Sequence, residues 1–281
     1  NIISFIGGFH GRTLGCMSLS SSKISCRMGF SPLLPGIYNL RYPIEGMGEE
    51  IYHDLESLLL RITSPDETAA IIMEPIMGEG GVIKADTIFV KKMRELCDKH
   101  NILWISDEVQ TGMGRTGNWW GYDMFGVEPD IISFGKGIAS GYQLAGVSAD
   151  KSLFDTIHEN GLGGTYNGNV LATVAANTTI DIIKDEALIE NVNDKSTIIR
   201  DKLHNLNHSL ITDIRCYGLM IAIQLDLDNT QFKTLMSNAE KQGLIILTTG
   251  INSTVRILPP LNITDSDIDI FIEKFNNLLN M

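Results

Sequence analysis

Ile102-Leu103-Trp104-Ile105-Ser106-Asp107-Glu108 and, further on, Ile131-Ile132-Ser133-Phe134-Gly135-Lys136-Gly137 decide the fold. Each is a short apolar run, without polar alternation, that stops at an ionisable side chain. Such a run fits a strand buried on both faces, as in a parallel sheet covered by helices. Residues 69–75 (Ala-Ala-Ile-Ile-Met-Glu-Pro) read the same way. Between 69–75 and the first run lies 87–100, where Phe89, Met93, Leu96, Cys97 and His100 recur at helical spacing. Strand, helix, strand is the repeating unit of a parallel sheet. Working outward, 144–147 is expected as a fourth strand and Ile2-Ile3-Ser4-Phe5-Ile6 as one at the start. Beyond Gly168 the texture changes. Residues 169–190 and 193–210 read as long helices, 219–225, 244–248 and 255–258 as short strands, and 266–279 as an amphipathic closing helix. The expected architecture is α/β: a large domain over 1–167 on a mainly parallel sheet, then a linking helix and a small α+β C-terminal domain over 168–281.

Composition narrows the function classes. Of 281 residues, 43% are hydrophobic and 20% charged, enough apolar surface to offset the entropy of ordering the chain. The 34 acidic and 22 basic side chains leave a net charge of −12. Nucleic acid and anionic membranes both select for Lys and Arg, so this balance argues against either as a partner. No apolar run approaches the roughly 20 residues that span a bilayer. Cys16, Cys26, Cys97 and Cys216 stand far apart, with no CxxC pair and no His cluster. That spacing argues against a disulfide framework or a metal site and for a reducing compartment. The chain opens on Asn1, inside an apolar stretch, as expected of a piece of a longer protein. Any targeting segment would lie upstream, and the expected location is intracellular, in cytoplasm or mitochondrial matrix.

In open parallel sheets ligands bind beyond the carboxyl ends of the strands. Here those ends lead into Glu74 with Gly78-Glu79-Gly80-Gly81, into Asp107-Glu108, and into Gly135-Lys136-Gly137. Gly112-Met113-Gly114-Arg115-Thr116-Gly117 matches GxGxxG but runs into Asn118-Trp119-Trp120-Gly121 instead of opening an apolar helix, so it is no dinucleotide fingerprint. Gly135-Lys136-Gly137 lacks the glycine loop and the following Ser/Thr of a phosphate-binding Walker motif. A lysine between glycines can reach a carbonyl ligand, and partial desolvation lowers its pKa toward a nucleophilic amine. An aspartate at the neighbouring strand end suits a pyridinium nitrogen. Together these are the requirements of pyridoxal 5'-phosphate.

The chain resembles the class III (ω) aminotransferases of the fold-type I pyridoxal-phosphate enzymes and, within them, the 4-aminobutyrate aminotransferases. Gly8-Phe9-His10-Gly11-Arg12-Thr13, Glu74-Pro75 with Gly78-Glu79-Gly80-Gly81, and Asp107-Glu108-Val109-Gln110-Thr111-Gly112 carry the resemblance. So do Phe134-Gly135-Lys136-Gly137-Ile138, Gly163-Gly164-Thr165-Tyr166 and Val255-Arg256-Ile257-Leu258-Pro259-Pro260-Leu261. The resemblance implies that Lys136 forms the Schiff base and shuttles the proton, while Asp107 pairs with the ring nitrogen. Gln110 lies near the ring hydroxyl, and Phe9 and Val109 cover the two ring faces. Thr165 meets the phosphate from a neighbouring subunit, which implies a homodimer. Arg12 holds a substrate carboxylate, and Glu79 and Arg256 open or close a second carboxylate site on a loop made mobile by Gly78 and Gly80. His10 and Arg115 are expected to be structural, and Glu74 to orient Arg12 or simply end its strand. The implied reaction carries an amino group from an ω-amino acid, 4-aminobutyrate foremost, to 2-oxoglutarate. The alternatives are an ornithine or acetylornithine aminotransferase, an amino-acid racemase, or a non-catalytic fragment that keeps the fold. Family members also carry a segment before the position of Asn1 that contributes to the cofactor and substrate sites.

Overall fold

The computed structural model describes residues 1–159, 161–250 and 253–281. From the start come β1 (Ile2–Phe5), α1 (Leu14–Leu19), β2 (Ile37–Leu40), α2 (Gly48–Arg61), β3 (Ala70–Met73) and the small hairpin β4 (Ile76–Met77) and β5 (Ile83–Lys84). Then follow α3 (Thr87–His100), β6 (Leu103–Asp107), β7 (Ile131–Phe134), β8 (Gly146–Ala149) and the single-turn α4 (Lys151–Phe154). The six-stranded sheet runs in the order β2-β1-β3-β6-β7-β8. All its pairings are parallel except β7 with β8. In register, Met73 lies beside Ser106 and Asp107 beside Ser133, so the residues that follow these strands emerge along one edge.

The strand expected at 144–147 is thus two residues later and antiparallel. A parallel return needs a crossover of a dozen or more residues. The stretch between Phe134 and Gly146 is spent on a 3₁₀ turn at Lys136–Ala139 and a loop, leaving the chain to fold straight back. Gly146 then lies against the Phe134 ring, where a Cβ would meet Cζ at 2.5 Å.

Helix α3 keeps its expected bounds because both ends are marked. Asp86 accepts from the Ile88 and Phe89 amides at the start, and Asn101 takes the left-handed conformation (φ 54°) at the end. Its apolar face puts Phe89, Val90, Met93 and Cys97 against Phe5, Ile71, Met73 and Trp104 of the sheet, all nearly free of solvent contact. The Phe89 ring meets Phe5 edge-on at 5.7 Å. Each such buried side chain stabilises by about 1.5–3 kcal/mol relative to exposure. Helix α2 covers the same core through Ile51, Leu55 and Leu59.

The remaining chain forms α5 (Val170–Asp185), α6 (Leu188–Asn205), β9 (Ile211–Tyr217), β10 (Met220–Leu225), α7 (Asn229–Lys241), β11 (Leu247–Thr248), β12 (Thr254–Ile257) and α8 (Asp265–Leu279). The helix expected over 169–190 breaks at Ala187, which takes a left-handed φ of 49° between α5 and α6. The one expected over 193–210 accordingly starts earlier. Strand β9 was not expected, because Asp213 and Arg215 interrupt its apolar run. The second sheet, β11-β12-β10-β9, is antiparallel and has a core of its own with α6, α7 and α8, including Leu203, Leu235 and Phe275. Helix α5 packs instead on the turn after β7, where Ala176 and Ile183 meet Met113, Ile138 and Ala139. Among the described residues no helix is long and apolar enough to cross a membrane.

Candidate active site

Asp107 closes β6 and is buried. Its Oδ1 accepts from the Val109 amide and the Ser133 hydroxyl, each at 3.2 Å. Its Oδ2 lies 2.8 Å from His10 Nδ1, and both side chains are almost solvent-free. The next residue, Glu108, is also buried but turns away from that edge: it accepts from Ser106 Oγ and from the Gly121 and Tyr122 amides, and so ties down the loop after β6. GxGxxG lies within that loop, which forms turns and no helix.

Lys136 follows β7 with a left-handed φ of 45°, unusual for a residue with a side chain. Strain of this kind persists where the surroundings impose it. Its exposed side chain lines a cavity of about 910 Å³ together with Val109, Gln110 and Met113, and with Leu171 and Val174 of α5. Dense protein around the stem lowers its pKa below the ordinary lysine value. Glu74, Asp107 and Glu79 oppose that shift and Arg256 reinforces it, so all four charges act on one amine.

Glu79 and Arg256, far apart in sequence, form an ion pair of 2.7 Å. Arg256 sits on β12 and is 7% exposed, and its Nε and Nη1 are buried without a hydrogen-bond partner among the described residues. Glu79 has a second cation, Lys23, at 3.0 Å from its other oxygen. Burial raises the Glu79 pKa, but Lys23 and Arg256 outweigh it and hold the carboxyl below its ordinary value. The flanking glycines are closely packed. A Cβ on Gly78 would meet Gln110 Nε2 at 2.5 Å, and one on Gly80 would meet the Gly7 carbonyl at 2.8 Å. The Glu79 carbonyl also accepts from the Gly250 amide. Gly78 and Gly80, expected to let the loop move, are both closely packed here.

Phe9 is half-buried, with the exposed Arg12 guanidinium 5.8 Å from its ring centre. Thr165 lies in an exposed stretch that leads into α5. Among the described residues no hydrogen bond or ion pair joins Arg12 or Thr165 to the cluster. Asp107, Val109, Gln110, Lys136, Glu79 and Arg256 come together; Phe9 joins them through its amide, which donates to Glu74 Oε1 at 2.8 Å. The other Glu74 oxygen accepts from the Gly78 amide at 2.9 Å, so this carboxyl spans the Phe9 and Glu79 loops instead of orienting Arg12. Burial pushes its pKa up to about 7; Asp107 adds to the rise, while His10 and the two amides oppose it.

Three residues with direct contacts in the cluster were not assigned to it from the sequence: His10 on Asp107, Lys23 on Glu79, and Glu74. The first was treated as a structural hydrogen-bonder, which it is, but on the site's own carboxylate. Arg115, expected to fix its loop, donates to the Leu219 and Pro259 carbonyls and so fastens that loop to the second sheet. A buried carboxylate and an amine of lowered pKa at adjacent strand ends, beside an apolar wall, fit the nitrogen and carbonyl of a flat heteroaromatic ring. The unpartnered donors of Arg256 fit a carboxylate.

A family model for aminotransferase class-III matches residues 1–279. The 4-aminobutyrate aminotransferase GabT of Escherichia coli is 37% identical over 282 residues, covering 95% of this chain and 66% of the relative. An alanine/serine racemase of Pyrococcus horikoshii is 35% identical, covering 94% of the chain and 60% of the relative. Among solved structures, an aminotransferase of Bacillus anthracis superposes on the whole chain with a TM-score of 0.92 at 28% identity, 69% of its own length being covered. The chain thus spans about two thirds of the length of its relatives. With a match from end to end and the same fold, it belongs to the class-III aminotransferase family.

Proposed function

We propose that this chain forms the core of a pyridoxal-phosphate-dependent transaminase that moves an amino group from 4-aminobutyrate to 2-oxoglutarate, giving succinate semialdehyde and glutamate. The observation that carries the substrate choice is the Glu79–Arg256 pair, with two further Arg256 donors buried and unmet. An enzyme that alternates between a substrate with one carboxylate and one with two needs a cation that can be shown or hidden. A racemase has no such need.

When bound, pyridoxal phosphate supplies an electron sink for the bonds of the amino carbon. Asp107 would pair with the ring nitrogen and keep it protonated, with His10 holding Asp107 in place. Lys136, its pKa lowered, would hold the cofactor carbonyl and carry the proton from the amino carbon. Gln110 would lie by the ring hydroxyl, and Phe9 and Val109 would cover the ring faces. In a homodimer, Thr165 of the partner subunit would meet the phosphate. Arg12 takes the distal carboxylate of either substrate. Arg256 takes the α-carboxylate of glutamate bidentately. With 4-aminobutyrate bound, Glu79 neutralises Arg256, whose exposure as an unpaired buried cation would cost about 3–5 kcal/mol.

Glu79→Ala in the cofactor-loaded protein is therefore expected to slow the 4-aminobutyrate half-reaction at least tenfold more than the glutamate half-reaction, read by stopped-flow absorbance. Equal losses in both would make the pair a static bridge. Inversion of alanine without any oxo acid would point to the racemase reading.

A further inference from the structure

Glu79 meets two cations, and the two are differently placed. Arg256 Nη2 binds Oε1 at 2.7 Å, and Lys23 Nζ binds Oε2 at 3.0 Å. The guanidinium retains two buried donors with no partner, so it gains by turning toward a second acceptor. The backbone at Glu79 is closely packed. Its carbonyl is held by the Gly250 amide, and Gly78 and Gly80 are wedged against Gln110 and the Gly7 carbonyl. Gly250 packs onto the segment that carries Lys23 as well: a Cβ there would meet the Ser22 carbonyl at 2.6 Å and the Glu79 carbonyl at 3.0 Å. Lys23 and Glu79 are thus mounted on one backbone junction, while Arg256 reaches in from β12.

We infer that Lys23 is the standing counter-ion of Glu79 and sets the ease with which Arg256 is released to a second substrate carboxylate. This rests on the dual-substrate reading above. When Arg256 turns to the α-carboxylate of glutamate, Glu79 would otherwise be left as a partly buried, unpaired anion. Lys23 keeps it neutralised. Lys23 also weakens the Glu79 hold on Arg256 beforehand, since two cations share one carboxylate. Without Lys23 the carboxylate is Arg256's alone, and the arginine is harder to free. Lys23 makes no contact with the reacting atoms in this account; it is a positioning residue that biases the choice of substrate.

The test is the ratio of the glutamate to the 4-aminobutyrate half-reaction rate constants in the cofactor-loaded protein. Lys23→Met is expected to lower that ratio about tenfold, and Lys23→Arg to restore most of it. In a Glu79→Gln background the same Lys23→Met change is expected to move the ratio less than twofold, because no anion remains to be neutralised. Lys23→Gln, which keeps a donor without the charge, carries the same test should Lys23→Met not fold. An equal loss in both half-reactions would reduce Lys23 to a structural role. A larger loss with 4-aminobutyrate would place Lys23 on the substrate carboxylate, and a drop that persists in the Glu79→Gln background would break its link to Glu79. Each of these overturns the inference. If the parent protein catalyses neither half-reaction, the dual-substrate reading itself has failed, whatever Lys23 does.

Discussion

Glu74 is the buried carboxyl whose titration falls near neutrality. Its folded pKa of about 7 stands above the ordinary 4.5, so between those values the folded protein binds a proton that the unfolded chain releases. Stability therefore falls as pH rises through that window, by about 3 kcal/mol in all. Glu74→Gln has no proton to bind and is expected to gain about that much on the parent between pH 4.5 and 7.5, measured by urea unfolding; parallel pH curves would mean that Glu74 is ionised throughout. For Lys136, borohydride reduction of the loaded protein is expected to label it alone, and Lys136→Ala to abolish turnover. A label on Lys84 or Lys151 would refute the assignment. Lys136 and Asp107 are legible in the sequence because each ends an apolar run, a local signal. His10 and Lys23 are not, since their contacts reach across 97 and 56 residues and no local pattern encodes them; Glu74 also ends an apolar run, but its partner Phe9, 65 residues away, is not encoded there.

Elements were legible where both ends carry a chemical mark. Asp86 and Asn101 bound α3 in sequence as they do in space. No comparable mark stands at Ala187, because alanine favours the helix it interrupts, and the turn there is imposed by the packing of α5 on one core and α6 on the other. That override leaves strain. A left-handed alanine costs about 1–2 kcal/mol, whereas glycine takes the conformation freely at an entropic cost of roughly 0.5–1 kcal/mol. Ala187→Gly is thus expected to stabilise the protein by about 0.5–1 kcal/mol, seen as a higher urea midpoint. In an unbroken helix the same change would destabilise by about 1 kcal/mol. The direction of β8 was illegible for a different reason: an apolar run looks the same whether it pairs parallel or antiparallel, and only the short connection decides.

At the scale of the whole molecule we propose that the chain divides after residue 167, with α5 as the link, and that the working unit is a homodimer. Leu162, Tyr166, Val170, Leu171 and Val174 are all more than half exposed, flanking Thr165 and running into the Lys136 cavity. Exposed apolar side chains beside a ligand site fit a subunit contact that completes the site. Leu171→Glu is expected to yield monomers by light scattering and to lose cofactor at the same time. A fully active monomer would defeat the proposal.

The close packing around Glu79 bears on time as well as on energy. With the backbone held in place by these contacts, an exchange of partners at Arg256 needs only a rotation of side-chain torsions, an event of nanoseconds to microseconds. Turnover in enzymes runs at about 1–1000 per second, slower by orders of magnitude. On the proposed dual-substrate reading, the change from one substrate to the other would proceed without hysteresis, and that step would add no dependence on solvent viscosity.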